Sequence, residues 1–188
     1  MADKPEFKDL GLGKWLKRIS DAGLARIRVG VVGAKAGEPS GDGRVTVAEA
    51  ALINEYGAEA TLPSGVKIKI PERSFLRKPL TQRNPAVFKL MNEFTRKVVD
   101  NEGTVDDAAH EAGKGLAEIS KRAITSGIPP ENTDETERKK GFNHPLIHTH
   151  ALVDAISHRV VRENGDVLED GASSADYDAL EYSTEGGE

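Results

Sequence analysis

The chain has no cysteine among its 188 residues. That removes disulfide staples and thiolate metal sites, and it suits a reducing compartment. No run of 18 apolar residues occurs, and the opening MADKPEFKDLGLGKW has no apolar centre of the kind a secretory leader needs. The expectation is a soluble protein made in the cytoplasm, with no membrane span. Aromatic residues make up only 5%, so the interior has to be filled by Ala, Val, Ile and Leu. Positive charge is also short: 26 Lys and Arg against 31 Asp and Glu give a net charge of -5. This balance argues against a dedicated nucleic-acid binder, whose phosphate contacts require a basic surface. The glycine-rich stretch at 33–44, GAKAGEPSGDGR, contains no Gly-Lys-Ser or Gly-Lys-Thr and reads as a plain loop rather than a phosphate cradle. There is no G-x-S-x-G elbow, and serine, histidine and aspartate stand in no recognisable catalytic setting. The chain is expected not to be an enzyme and to carry no cofactor.

What is present suits a single domain over residues 1–169, followed by an acidic, flexible segment. The last stretch, DGASSADYDALEYSTEGGE at 170–188, holds six acidic side chains and no basic one. Leu12, Trp15, Leu16 and Ile19 recur at helical spacing within 9–22 and predict an N-terminal helix closed by Gly23. Residues 25–33 alternate Ala25, Ile27, Val29 and Val31 with Arg26 and Arg28, the period of a half-buried strand. Thr46, with Glu49 three residues on, predicts a capping box on a helix over 47–55, which Gly57 stops. VKIKI at 66–70 alternates again and ends at Pro71, which has no N–H for a ladder. Pro85 starts a helix to residue 100, with Val87, Leu90, Met91, Phe94 and Val98 on one stripe. Thr104 starts the next, with Asp106 and Asp107 favouring its dipole and Ala108, Ala112, Leu116, Ile119 and Ala123 turned inward. A polar loop over 128–145 leads to a short helix at 149–157 with Thr149 as candidate cap, then to a hairpin on Asn164-Gly165. The fold class expected is α+β. A small, mainly antiparallel sheet from 25–33, 66–70, 157–162 and 166–169 is covered on one face by the helices at 86–100 and 105–126, with an N-terminal helix and extended loops around it.

Three groups of residues invite chemistry. His144, His148 and His150 in HPLIHTH could aim rings at a metal ion, but Pro145 and a capping Thr149 turn the chain into a helix and splay them; loop and cap roles are the plainer reading, and no metal is expected. Glu49 and Glu55 suggest an acid–base pair, although Glu49 already has its capping role. The segment 67–83 gathers Lys67, Lys69, Arg73, Arg77, Lys78 and Arg83 against the single Glu72. It reads as a solvated face or, functionally, as a surface for an acidic protein partner; with Phe75 its only aromatic it is no stacking platform for single strands.

The most distinctive pattern is a helix ending Asn54-Glu55-Tyr56-Gly57, followed after a loop by Ile70-Pro71-Glu72-Arg73-Ser74-Phe75-Leu76-Arg77. A second lies downstream in Pro145, Leu146, Ile147, Thr149, Leu152, Ala155 and Ile156, with His150 where glycine is commoner. Together with the valine-rich strand ending at Gly33, these resemble the signature of bacteriophage tail-completion and head-tail joining (neck) proteins over residues 10–162. The resemblance implies a structural virion component of a tailed phage, a ring of identical chains between the portal-bearing head and the tail tube. Connector, tail terminator and tail tube would be its partners, and DNA would pass without specific binding. The alternatives are a tail terminator capping the tube and, further off, a metal-dependent hydrolase or a DNA-binding adaptor. Within the motif Gly57 lets the chain reverse, Pro71 fixes its direction, and Arg73 is expected to pair with a carboxylate such as Glu55. Phe75 and Leu76 plug an apolar gap, either in the core or at an interface. The 58–66 loop, the basic 67–83 segment and the 128–144 loop are the candidate contact surfaces, with Lys67, Lys69, Arg77 and Lys78 facing other subunits.

Overall fold

The computed structural model describes residues 11–41, 43–61, 65–81, 83–132, 137–138, 141, 146, 150–162 and 167–168. In chain order the elements are α1 (Leu12–Leu24), β1 (Ala25–Val31), a 3-10 turn (Ala34–Gly37), β2 (Pro39–Ser40), β3 (Val45–Thr46), α2 (Val47–Tyr56), β4 (Ala58–Thr61), β5 (Lys67–Ile70), α3 (Pro85–Val99), α4 (Val105–Thr125), α5 (Ala151–Ala155), β6 (Ile156–Arg162) and β7 (Val167–Leu168). The architecture is α+β, a small antiparallel sheet packed against helices.

The sheet runs β1-β6-β7. Strands β1 and β6 pair along their full length, from Ala25 opposite Arg162 to Val31 opposite Ile156. Successive strand residues face opposite sides, so Ala25, Ile27, Val29 and Val31 share one face with Ile156, His158, Val160 and Arg162. Helix α4 covers that face. Its buried stripe is built from small residues, Ala108, Ala109, Ala112, Gly113, Ala117 and Ser120, with Val105, Leu116 and Ile124 between them. Gly113 is required by close approach: a Cβ there would stand 2.3 Å from the His158 ring. At the end of the contact the Arg162 guanidinium bonds both Asp106 carboxylate oxygens at 2.7 and 2.8 Å. Helix α3 packs on α4 as a further layer. The central cluster joins Ala51, Phe75, Ala117, Ile124 and Ile156, with Val29, Val31, Leu76, Ile128, Leu146, Leu152 and Val153 against it.

The helix starts follow the sequence closely. Thr46 accepts from the Glu49 N–H while Glu49 accepts from the Thr46 N–H, a closed capping box. Thr104 and Asp107 form a second one, and Asn84 caps α3 ahead of Pro85. One helix boundary needs correction. Gly23 does not close α1, which runs on to Leu24 and passes directly into β1. No residue of α1 is buried, and the stripe Leu12, Trp15, Leu16 and Ile19 stays exposed. The helix is held instead by polar bonds from Trp15 Nε1 to the Val99 carbonyl and from Arg18 to the carbonyls of Lys97, Val98, Glu102 and Gly103.

Residues 67–70 do not join the main sheet. They pair with 58–61 in a separate two-stranded hairpin, Ala58 opposite Ile70 and Thr61 opposite Lys67. Half of the expected 58–66 loop is therefore strand; the alanine-rich AEAT carried too weak a β signal to reveal it. Helix α5 begins only after His150, which occupies the N-cap position with φ 58, and it gives way to β6 at Ile156. Strands β6 and β7 pair antiparallel, as the expected hairpin requires; its Asn164-Gly165 turn, the Thr149 cap and the acidic 170–188 segment lie outside the described residues.

Candidate functional site

The residues of the two-part motif meet around one carboxylate. Glu55, one residue before the end of α2, is 3% exposed. Past Pro71 the chain curls so that successive amides converge on it. Oε2 accepts from the N–H groups of Phe75 at 2.8 Å and Leu76 at 2.9 Å. Oε1 accepts from Ser74 Oγ at 2.6 Å, from the Arg77 N–H at 3.0 Å and from Arg77 Nε at 3.0 Å. Such a concave set of amides is an anion site, and here the chain's own carboxylate fills it. The same segment satisfies the open carbonyls at the end of α2: the Arg73 N–H bonds the Asn54 oxygen at 2.7 Å and Arg77 Nη2 bonds the Glu55 oxygen at 2.8 Å. Arg77 also reaches Glu72 at 3.2 Å and lies 4.2 Å over the centre of the Tyr56 ring.

Electrostatics follow from this geometry. Burial by itself would raise the Glu55 pKa, but the hydrogen bonds from Ser74, Leu76 and Arg77 outweigh it and hold the carboxyl below its ordinary value. A carboxylate saturated by five donors neither takes nor gives a proton readily, so Glu55 is a structural group and not an acid–base catalyst. Glu49 is likewise held low by the backbone and side chain of its capping partner Thr46.

The expected pairing of Arg73 with Glu55 is corrected. Arg77 fills that role, because the amide curl brings position 77, not 73, over the carboxylate. Arg73, buried, points the other way and donates to the carbonyls of Pro130 at 2.8 Å and Glu131 at 3.0 Å, tying the motif to the loop after α4. Burial lowers its pKa. Phe75 is fully buried in the central cluster and Leu76 half-buried against it, so the gap they plug lies inside the chain and not at an interface. Arg77 and Lys78, expected to face other subunits, are engaged in ion pairs with Glu55 and Glu72. Lys67 and Lys69 do stand exposed on β5, across from Thr61 and Glu59.

Gly57 is the hinge between helix and hairpin. Its φ is +73, and a Cβ would lie 3.0 Å from both the Glu72 nitrogen and the Ile70 oxygen. Gly57→Ala is expected to lose about 2 kcal/mol of unfolding free energy, within the range for a strained backbone position, read as a lower urea midpoint at unchanged slope.

Sequence reasoning missed Ser74 as a ligand of Glu55 and Pro130 and Glu131 as the anchors of Arg73. The first was within reach, since a serine beside three consecutive amides is a natural donor; the second depends on a contact 57 residues away, which no local pattern encodes. Of the histidine cluster, His144 and His148 lie outside the described residues. Among the described residues no three His, Asp or Glu side chains are grouped to hold a metal ion, and no helix is long and apolar enough to cross a membrane. Comparison of the chain with protein-family models, with curated proteins and with solved structures found no match.

Proposed function

We propose that this protein is a structural subunit of a tailed-phage virion, a tail-completion or neck component that closes into a ring of identical chains and joins the tail to the head-proximal connector. The observation that carries the reading is the β4–β5 hairpin, an arm fixed at its root by the caged Glu55 and exposed along nearly all of its length. A lone two-stranded hairpin is marginal in water. This one is also two-faced, with Ala60, Ile68 and Val66 exposed on the side opposite Lys67 and Lys69.

Further exposed apolar side chains lie elsewhere on the chain, Leu12, Trp15, Leu16 and Ile19 on α1 and Phe88, Met91 and Val99 on α3. Exposed apolar patches of this kind mark contact surfaces, and head-to-tail closure of a ring calls for two unlike patches on each subunit. The left-handed backbone at His150 also suits the likeness, because the related pattern has glycine there. Lys67 and Lys69 remain available for an acidic face on a neighbour, whether another copy or a tail protein.

The double variant Val66→Asp/Ile68→Asp tests this. Its side chains lie on the hairpin's exposed apolar face, so the melting temperature should stay within about 2 °C of the parent, as for surface changes. Native mass measurement, alone and with tail tubes, should show rings for the parent and monomers for the variant, and the variant should fail to complement particles lacking the protein. A parent that stays monomeric with tail tubes present, or heads and tails that join normally without it, would overturn the reading.

A further inference from the structure

Strand β1 forms one edge of the main sheet, with β6 as its only strand neighbour among the described residues. The N–H of Val32 donates to the Ala155 carbonyl, one step beyond the paired Val31 and Ile156. Hydrogen-bonded pairs alternate along an antiparallel ladder, so Arg26, Arg28 and Gly30 bond to β6 while Ile27, Val29 and Val31 turn their N–H and C=O groups to the open edge. None of these edge groups has a hydrogen-bond partner among the described residues. Such a row is a template for an added strand, and this one is interrupted by neither a proline nor a bulge.

The side chains select what can be added. Arg26 and Arg28 stand exposed on one face of the edge, and Ile27, Val29 and Val31 lie half-buried on the other. A second copy of β1 would bring arginine beside arginine, and β5 would bring Lys67 and Lys69; like charges side by side oppose pairing. Strand β4 fits both faces. Its exposed Glu59 is its one charged residue, and its other face presents Ala58 and Ala60, which continue into Ile70 and Ile68 of β5. Its outer edge is open, since β5 is its only strand partner among the described residues. Laid along β1, β4 sets Glu59 between an arginine of that edge and Lys69, and Ala60 between an apolar residue of that edge and Ile68.

We propose that β4 of one copy adds to the open edge of β1 on the next, so that the main sheet of one chain runs on into the hairpin of its neighbour. This inference rests on the ring reading above and names the contact that closes the ring.

Charge reversal tests it, because among the described residues neither Arg26, Arg28 nor Glu59 makes a hydrogen bond or ion pair that the reversal would break. Sedimentation of the full-length protein, alone and with tail tubes, should show assembly weakened by at least about tenfold in Arg26→Glu/Arg28→Glu and in Glu59→Arg, where like charges are forced together. Combining the three changes in one chain, or mixing the two variants in equal amounts, should restore assembly to the parent level, since each reversed edge then meets its complement. Hydrogen exchange resolved to single residues should show the amides of Ile27, Val29 and Val31 slowed by about tenfold or more in the assembled parent relative to the monomeric variants. A parent that stays monomeric under both conditions overturns this inference together with the ring reading. A parent that assembles while neither reversal weakens it, reversals that their complements do not rescue, or edge amides that exchange at the monomer rate in the assembly would each overturn the strand addition alone.

Discussion

Replacing Glu55 with glutamine is expected to destabilise the fold by about 3–4 kcal/mol at pH 7, near the lower end of what breaking a buried charge pair costs, and to lower the melting temperature by about 10 °C for a chain of this size. The side chain keeps its shape, so the loss comes from chemistry. Glutamine's amide group turns two donors toward a site where Ser74, three backbone N–H groups and Arg77 already donate. Buried donors left without acceptors are expensive. The pH dependence separates this account from a packing effect. A carboxyl whose folded pKa is depressed contributes stability that is present above its unfolded value and is lost as pH falls through the folded one. Glu55 is depressed from an ordinary 4.5, so the gap between parent and Glu55→Gln should be widest at neutral pH and shrink progressively below about pH 4.5. Urea titrations at pH 7 and pH 3 measure it; a gap that stays constant across that range contradicts the caged-anion account.

Phe75→Ala should be at least as damaging, by about 4 kcal/mol, in the range for deleting a buried aromatic side chain. Phe75 has no exposed surface and sits among Ala51, Ala117, Ile124 and Ile156. Two of those neighbours are alanines on helices, too short to reach into the void, so the cavity persists instead of collapsing. The melting temperature should fall by about 12 °C with little change in denaturant slope. Leu76→Ala, at a half-buried position, should fall by less than half as much. A Phe75→Ala protein that keeps its stability would move this residue from the core back to a surface role.

Local signals were legible and distant ones were not. The Thr46–Glu49 capping box could be read from its three-residue spacing, because a cap is made within one turn; at Thr104 the helix start was legible, while its box with Asp107 was seen only in the structure. The α4 stripe was visible through Ala108, Ala112 and Leu116. The place of residues 67–70 was not, since KIKI alternates equally well in a central sheet or in a separate hairpin, and only its pairing with 58–61 decides. The importance of Glu55, Arg73 and Phe75 could be read from the motif, but their partners could not. Which arginine meets Glu55 depends on how four residues after Pro71 curl, and that curl is set by the carboxylate itself. For α1, helical periodicity showed that an apolar face exists without showing whether this chain provides anything to cover it.

Arg18 joins α1 to the rest of the protein through four carbonyl oxygens at the end of α3 and in the turn that follows. A thirteen-residue helix with nothing buried is tethered, not embedded. Swinging it outward would remove no fully buried side chain, but it would break the Arg18 bonds and the bond from Trp15 Nε1 to the Val99 carbonyl. Helix α1 is thus an outlying limb that turns its tryptophan and leucines outward, without the burial that fixes the layers beneath.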